Sequence, residues 1–276
     1  MALAFIHNLA VELVDILRGT KRLIIGLVKR VTRIPFPKSV LDLYVRPVIK
    51  EQTGQIEREA IYSLINSHFL KIEEARRTVP SVALVYRVKD VENSLYLSVM
   101  SFAPLATEII IVDNASSDKT LSVAEKIKTE LSGRISVKIY SYRSEIASYG
   151  RGYLQSVEEN PDKSIAKYYN FAFGKAGCEY VVKADGGCIL MPFGAQKVLE
   201  CLRKHPDVIY TDGIEVFGRR IDYEPRIFRS NIGASYVDSE YYESLLLPEG
   251  NLKKMTISEP IFIHIRGIFS YIKRKL

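Results

Sequence analysis

Between Ser81 and Asp185, short apolar runs rich in β-branched residues alternate with longer polar or amphipathic stretches. That alternation constrains the fold more than any other feature of the chain. Val82–Val88 (VALVYRV), Glu108–Asp113, 135–140 and 179–184 have the length and β-branching of buried strands. The spacing predicts helices over 92–102, from an N-cap at Asp118 to 131, and from Pro161 to about 175, with Gly133 and Gly177 as stops. Strands alternating with helices make parallel βαβ units, so the expected fold is α/β: an open, mostly parallel sheet with helices on both faces. Such sheets bind ligands beyond the carboxyl ends of their strands. The loops after the strands are where chemistry is expected.

Several chemistries are unsupported there. No GxGxxG follows the first strand, no GxxxxGK[ST] is present, and there is no GxSxG. His7, His68, His205 and His264 make no metal-ligand spacing among themselves. The three cysteines, Cys178, Cys188 and Cys201, are odd in number and scattered, which fits small buried hydrophobes in a reducing compartment.

Charge divides the chain differently. The formal net charge is +7. Residues 1–38 carry seven basic side chains against Glu12 and Asp15, and the stretch from Pro260 carries four more, so the middle is slightly acidic. A nucleic-acid binder would spread its basic charge over the folded body, so nucleic acid is not expected as a partner. Apolar residues recur at helical spacing in 1–31 and again at Ile265, Ile268, Phe269 and Ile272, with Lys and Arg alongside. No window reaches 18 uncharged apolar residues, which disfavours a spanning helix. Two readings stand for 1–38: a helical pair packed on the body, or an in-plane anchor on an anionic membrane face. The basic amphipathic tail favours the second, and with it a cytoplasmic, peripheral location. Residues 1–79 read as an N-terminal helical extension, with 56–77 a polar helix; 80–260 is the folded domain and 261–276 a tail.

The strand ends carry carboxylates. The second strand runs into Asp113-Asn114-Ala-Ser-Ser-Asp118-Lys-Thr120, and the fourth into Asp185-Gly186-Gly187. Asp113 and Asp185 are expected on neighbouring strand ends facing one crevice. Carboxylates there bind ribose or base edges or hold a hard cation; the bland alternative is turn and capping chemistry, strongest for Asp118.

Ile-Ile-Val-Asp113-Asn-Ala-Ser-Ser-Asp118-Lys-Thr120 resembles the signature of family-2 glycosyltransferases with the GT-A fold. Lys167-Tyr-Tyr-Asn170, followed by a strand ending at Asp185, continues the resemblance over about 81–264. It implies a GT-A sheet and a nucleotide-sugar donor. Asp113, and more weakly Asp118, would meet the nucleoside, and Asp185 would stand as the first acid of DxD, on ribose or metal. Lys167 and Asn170, three apart on one helix face, would face the same crevice. Arg87 and Lys89 would offset diphosphate charge. The second acid of DxD is a glycine here, which sets this chain apart from the family and bears on whether Mn or Mg is held. Gly186 and Gly187 would leave room for the sugar or a backbone contact.

Glu224-Pro-Arg226-Ile-Phe-Arg229, Tyr236-Val237 and Tyr242-Glu243-Ser-Leu245 resemble a subgroup that includes lipopolysaccharide-core enzymes. Arg226 and Arg229 suit a phosphate or an acidic acceptor, and the resemblance implies His264 near the diphosphate and metal. Inverting transfer needs one carboxylate to take the acceptor's proton; Glu243 is the first candidate, with Asp238 and Glu240 on the same segment. The function so implied is inverting transfer from a nucleotide-diphosphate sugar to a glycan or lipid-linked acceptor at a membrane surface. The alternatives are a degenerate, non-catalytic binder of nucleotide-sugar or partner, a membrane-surface scaffold, and a nucleotidyltransferase. The last would need glycines in the loop after the first strand, and Tyr86–Asp90 supplies none.

Overall fold

A computed structural model of the chain describes residues 72, 74–215 and 221–264. The basic segment 1–38, the helix expected over 56–77 apart from its last turn, and the tail from 265 onward lie outside the described residues. No described helix is long and apolar enough to cross a membrane.

The expected α/β sheet is present. Its first part is built from β1 (Val82–Val88), β2 (Glu108–Asp113), β3 (Ser136–Ser141) and β4 (Tyr180–Asp185), all parallel. With β6 (Val208–Thr211), β8 (Glu224–Arg229) and β11 (Lys254–Thr256) the full order is β11-β6-β8-β4-β1-β2-β3, and β8 alone runs against the rest. β1 and β2 are buried almost throughout, as their unbroken apolar sequences require.

The sheet alternation sends Val82, Leu84, Tyr86 and Val88 to one face and Ala83 and Val85 to the other. The first face is covered by α1 (Leu95–Phe102), α2 (Thr120–Glu130) and α5 (Pro192–Leu202), the second by α3 (Tyr153–Glu159) and α4 (Ile165–Phe173). The connections β1-α1-β2 and β2-α2-β3 therefore use one face. The return from β3 through α3 and α4 uses the other and places β4 on the far side of β1. Strand order reverses at β1/β4, and that is the switch point where an open α/β sheet leaves a crevice.

Two small sheets finish the body. β5 (Cys188–Leu190), β12 (Phe262–His264) and β7 (Gly213–Glu215) form one, and the antiparallel pair β9 (Ser235–Asp238) and β10 (Glu243–Leu246) the other. Gly213 is demanded by close packing, since a Cβ there would fall 2.3 Å from the Phe262 ring. Residues 261–264 thus belong to the folded body, with Ile261, Phe262 and Ile263 buried.

The helix expected from Pro161 starts later. Pro161–Lys163 is a 3-10 turn, and Ser164 caps α4 by accepting the Lys167 N–H at 2.9 Å. α3 and everything after β4 carry too little periodicity in short elements to be read from the sequence.

Candidate functional site

The signature loop after β2 is knitted to the loop after β1 by its own polar groups. Asp113 Oδ2 accepts the Ser116 N–H at 3.1 Å, three residues on, and closes a local turn. Asp118 accepts the Glu92 N–H at 3.0 Å and the Thr120 N–H at 2.8 Å, which ties the start of α2 to the approach of α1. Asp90 accepts from the Ser117 N–H, Glu92 from the Lys119 N–H, and Thr120 Oγ1 from the Val91 N–H. Both Asp118 oxygens are spent on backbone. Burial works against its charge, but the bonds to Thr120 and Glu92 outweigh it and hold its carboxyl below the usual range. The sequence assigned Asp118 to the nucleoside as well as to an N-cap; the geometry gives it the second role, one residue before the cap position at Lys119.

Asp113 and Asp185 are not on neighbouring strands. β1 lies between them, with Asp113 opposite Val88 and Asp185 opposite Arg87. Two inter-strand spacings put the two strand ends about 10 Å apart on one edge. Their rows also differ by one residue, so the pleat directs Asp113 to the face of Val88 and Asp185 to the face of Arg87. Asn114, the next residue, shares the face of Arg87. Its Nδ2 donates to the Tyr142 and Ser144 carbonyls at 2.9 and 2.8 Å, and its Oδ1 is buried with no hydrogen-bond partner among the described residues. The sequence reading gave Asn114 no role. Counting from the strand's first inward residue would have marked it, once the register with β1 was known.

The chemistry gathers at the β1/β4 switch point. Asp185 Oδ1 accepts from Arg87 Nη2 at 2.9 Å, and Oδ2 accepts from Arg226 Nη1 at 2.9 Å. Arg226 also pairs with Glu224 at 3.4 Å. Lys183, two residues before Asp185 and so on the same face, lies 3.2 Å from Glu224 and 3.8 Å from Glu243 Oε1. Three cations and three carboxylates form one network. The side chains of Arg87 and Arg226 are 3% and 10% exposed, while that of Asp185 is 34% exposed. Burial opposes ionisation of Asp185, yet Arg226, Arg87 and Lys183 outweigh it and hold the carboxyl well below the usual range.

Aromatic rings floor this network. The Arg87 guanidinium lies 3.7 Å from the centroid of Tyr169, which packs on Tyr236 and Phe173. Tyr149, from the loop between β3 and α3, is 47% exposed, and its phenol lies near Glu243 and Arg87. Glu243 opens β10 opposite Asp238; its Oε2 is buried and has no hydrogen-bond partner among the described residues.

The remaining candidates fall elsewhere. Lys167 is exposed and pairs with Asp162 at 3.5 Å. Asn170 uses its whole amide on the Tyr236 backbone, donating at 2.8 Å and accepting at 2.8 Å, and so clips β9 to α4. The pair does not point into the switch-point network. Asp238 accepts from Ser164 Oγ, from the Ala166 N–H and from the Tyr153 hydroxyl, and so builds the start of α4. Glu240 and Lys89 are exposed. Arg229 sits at the other end of β8, opposite Tyr180, with Glu179 and Asp207, whereas Arg226 joins the network. The room expected at Gly186 is filled on one side, since a Cβ there would meet Val91 at 3.2 Å. The sequence reading left Lys183 and Glu224 without roles. For Lys183 the signal was a charge interrupting an otherwise apolar strand; Glu224 opens the polar start of β8 and carried no such signal.

The residues at the DxD position do not fit a divalent cation. Both Asp185 oxygens are closed by guanidinium groups, and His264 Nδ1 lies 3.2 Å from Glu215. No group of three His, Cys, Asp or Glu side chains converges to hold a metal among the described residues.

No family model matches the chain, and no curated protein matches it. Solved structures do resemble it. A crystal structure of residues 1–349 of S. aureus TarS aligns with a TM-score of 0.48 at 14% identity, covering 67% of this chain and 60% of that one. Glucosyl-3-phosphoglycerate synthase from Mycobacterium tuberculosis, crystallised with Mn2+, UDP and glucosyl-3-phosphoglycerate, aligns at 0.36 and 16% identity over 53% of this chain and 48% of that one. The same enzyme with Mg2+ and UDP gives 0.36 and 16%. The chain thus spans 47–60% of the length of these proteins. At such values the likeness assigns the chain to no family.

Proposed function

We propose that the chain is a glycosyltransferase of GT-A type that moves a sugar, with inversion, from a nucleotide-diphosphate donor to a glycan or lipid-linked acceptor. The observation that carries this reading is the composition of the β1/β4 switch point. One buried carboxylate, Glu243, keeps an uncommitted oxygen in a network with two buried arginines, Arg87 and Arg226, and the partly buried Lys183. Inverting transfer asks for that combination. Glu243 Oε2 takes the proton of the acceptor hydroxyl as its oxygen bonds to the anomeric carbon. The bond from that carbon to the diphosphate breaks, its electron pair stays on the departing phosphate oxygen, and the cations stabilise the charge. Lys183, 3.8 Å from Oε1, holds Glu243 in place and leaves Oε2 for the proton. Asp113 and Asn114, two strands away on the same edge, are where a nucleoside extended from that diphosphate would rest.

The segment from Glu224 to Glu243 favours a lipid-linked glycan acceptor of the lipopolysaccharide-core kind, and the basic segments 1–38 and 265–276 favour work at an anionic membrane face. Liposome flotation of the full chain, with and without residues 1–38, tests the attachment apart from catalysis. The chemistry is tested by offering UDP- and GDP-sugars with glycan acceptors and reading the anomeric configuration of the product by NMR. An inverted linkage supports the reading, and a retained one refutes the role of Glu243 as base. A second reading has its own support. Asp185 is closed by two arginines, which suits a protein that binds a nucleotide-sugar or partner without turnover. Donor binding with no transfer to any acceptor would establish it.

A further inference from the structure

The arginine network carries a consequence for how charge is handled. Asp185 occupies the place where a metal ligand is expected, yet each of its oxygens is 2.9 Å from a guanidinium nitrogen. A divalent cation brought to that carboxylate would face Arg87 and Arg226 at close range, with no second acid at Gly186 or Gly187 to compensate. The arginines, in contrast, are short of acceptors. Arg87 Nε and Nη1 and Arg226 Nε are buried and have no hydrogen-bond partner among the described residues. Buried N–H groups left without acceptors are costly and mark a place for an anion. Their planar forks suit phosphate oxygens.

We propose that this site binds a diphosphate without a divalent cation, with Arg87, Arg226 and Lys183 supplying the positive charge and Asp185 serving to position the two arginines. The proposal rests on the donor class named above, a nucleotide-diphosphate sugar. The network is electrically balanced as it stands, so an arriving diphosphate competes with Asp185 for the guanidinium groups. That competition makes an unusual forecast. A metal-ligating Asp185 would be needed for binding, whereas a positioning Asp185 weakens it.

The test is calorimetric titration of the full-length chain with inorganic pyrophosphate, UDP and GDP, in EDTA and then in Mn2+. Binding of pyrophosphate and of one nucleotide in EDTA, changed little by Mn2+, supports the proposal and the donor class together. Binding of pyrophosphate in EDTA with no tighter binding of either nucleotide keeps the anion site and removes the donor class. Binding only in Mn2+ overturns the metal-free site and leaves the donor class standing. No binding in either buffer overturns both. In EDTA, Asp185→Asn is expected to tighten pyrophosphate by about tenfold, and Arg87→Lys, which keeps the charge but loses the fork, to weaken it by about tenfold. Thermal melts of both variants confirm folding. Loss of binding in a folded Asp185→Asn variant would contradict the competition between Asp185 and the diphosphate for the two arginines.

Discussion

Asp113 and Asp185 end two strands on either side of β1 at one sheet edge, and their surroundings could hardly differ more. The side chain of Asp113 meets one partner, the Ser116 N–H, its Oδ1 being buried without one among the described residues, and the stretch that follows to Thr120 closes on the loop 90–92. Around Asp185 the partners are side chains from three strands, Arg87 on β1, Arg226 on β8 and Lys183 on β4 itself. The same residue type in the same position of the motif builds a turn in one case and anchors a charge network in the other. What separates them is the neighbouring strand. β4 borders β8, which brings Arg226 toward Asp185, whereas β2 meets uncharged Val88 on β1 and Ser141 on β3 at the level of Asp113.

The contrast is broken most severely at Arg226. Arg226→Met leaves the half-buried Asp185 and Glu224 with fewer cations; water screens both carboxylates in part, so urea unfolding should show a loss of about 1.5–3 kcal/mol. Asn170→Ala cuts the double bond between α4 and β9 that holds Glu243's hairpin, with an expected loss of about 1–3 kcal/mol; activity should fall with it through misplacement of Glu243. On the turn-building side, Asp118→Ala removes two backbone acceptor sites at the start of α2 and should cost about 1 kcal/mol in the same measurement, with nucleotide affinity little changed.

Acid sharpens the comparison further. Asp185 has its folded-state pKa held below the unfolded value of about 3.9, so its ionised form stabilises the fold at pH values above that. That share is lost as pH falls below about 4 toward the folded value. The stability difference between the wild type and Asp185→Asn should therefore be flat from pH 7 to about pH 5 and change only in more acid solution. Asp118 is common to both proteins, so its own depressed pKa drops out of the difference.

The sequence made the parallel half of the sheet legible because buried β-branched runs and helix stops are local signals. β1 and β2 stand where those signals put them, and the helices after them lie within two or three residues of the expected bounds. The second half was not legible. β5, β7, β11 and β12 are three residues each, too short for a period, and their places depend on contacts such as that of Gly213 with Phe262. For the site, Arg87, Arg226, Asp185 and Glu243 were found as charges at strand ends or on the acceptor segment. Lys167 and Arg229 misled for a physical reason. A motif gives spacing along one element, while the face that meets the crevice is fixed by register and packing between elements. Arg226 and Arg229 share β8, but three residues of strand carry them to opposite ends of its pairing with β4.

The central claim is that Glu243 takes a proton at a cationic strand edge. Its most direct test is the initial rate of nucleoside diphosphate release from a nucleotide-sugar, with acceptor present, in wild type and Glu243→Gln. A fall of about 10²–10⁴-fold in the variant with donor affinity retained is the expected result. Equal rates in the two proteins would contradict the account.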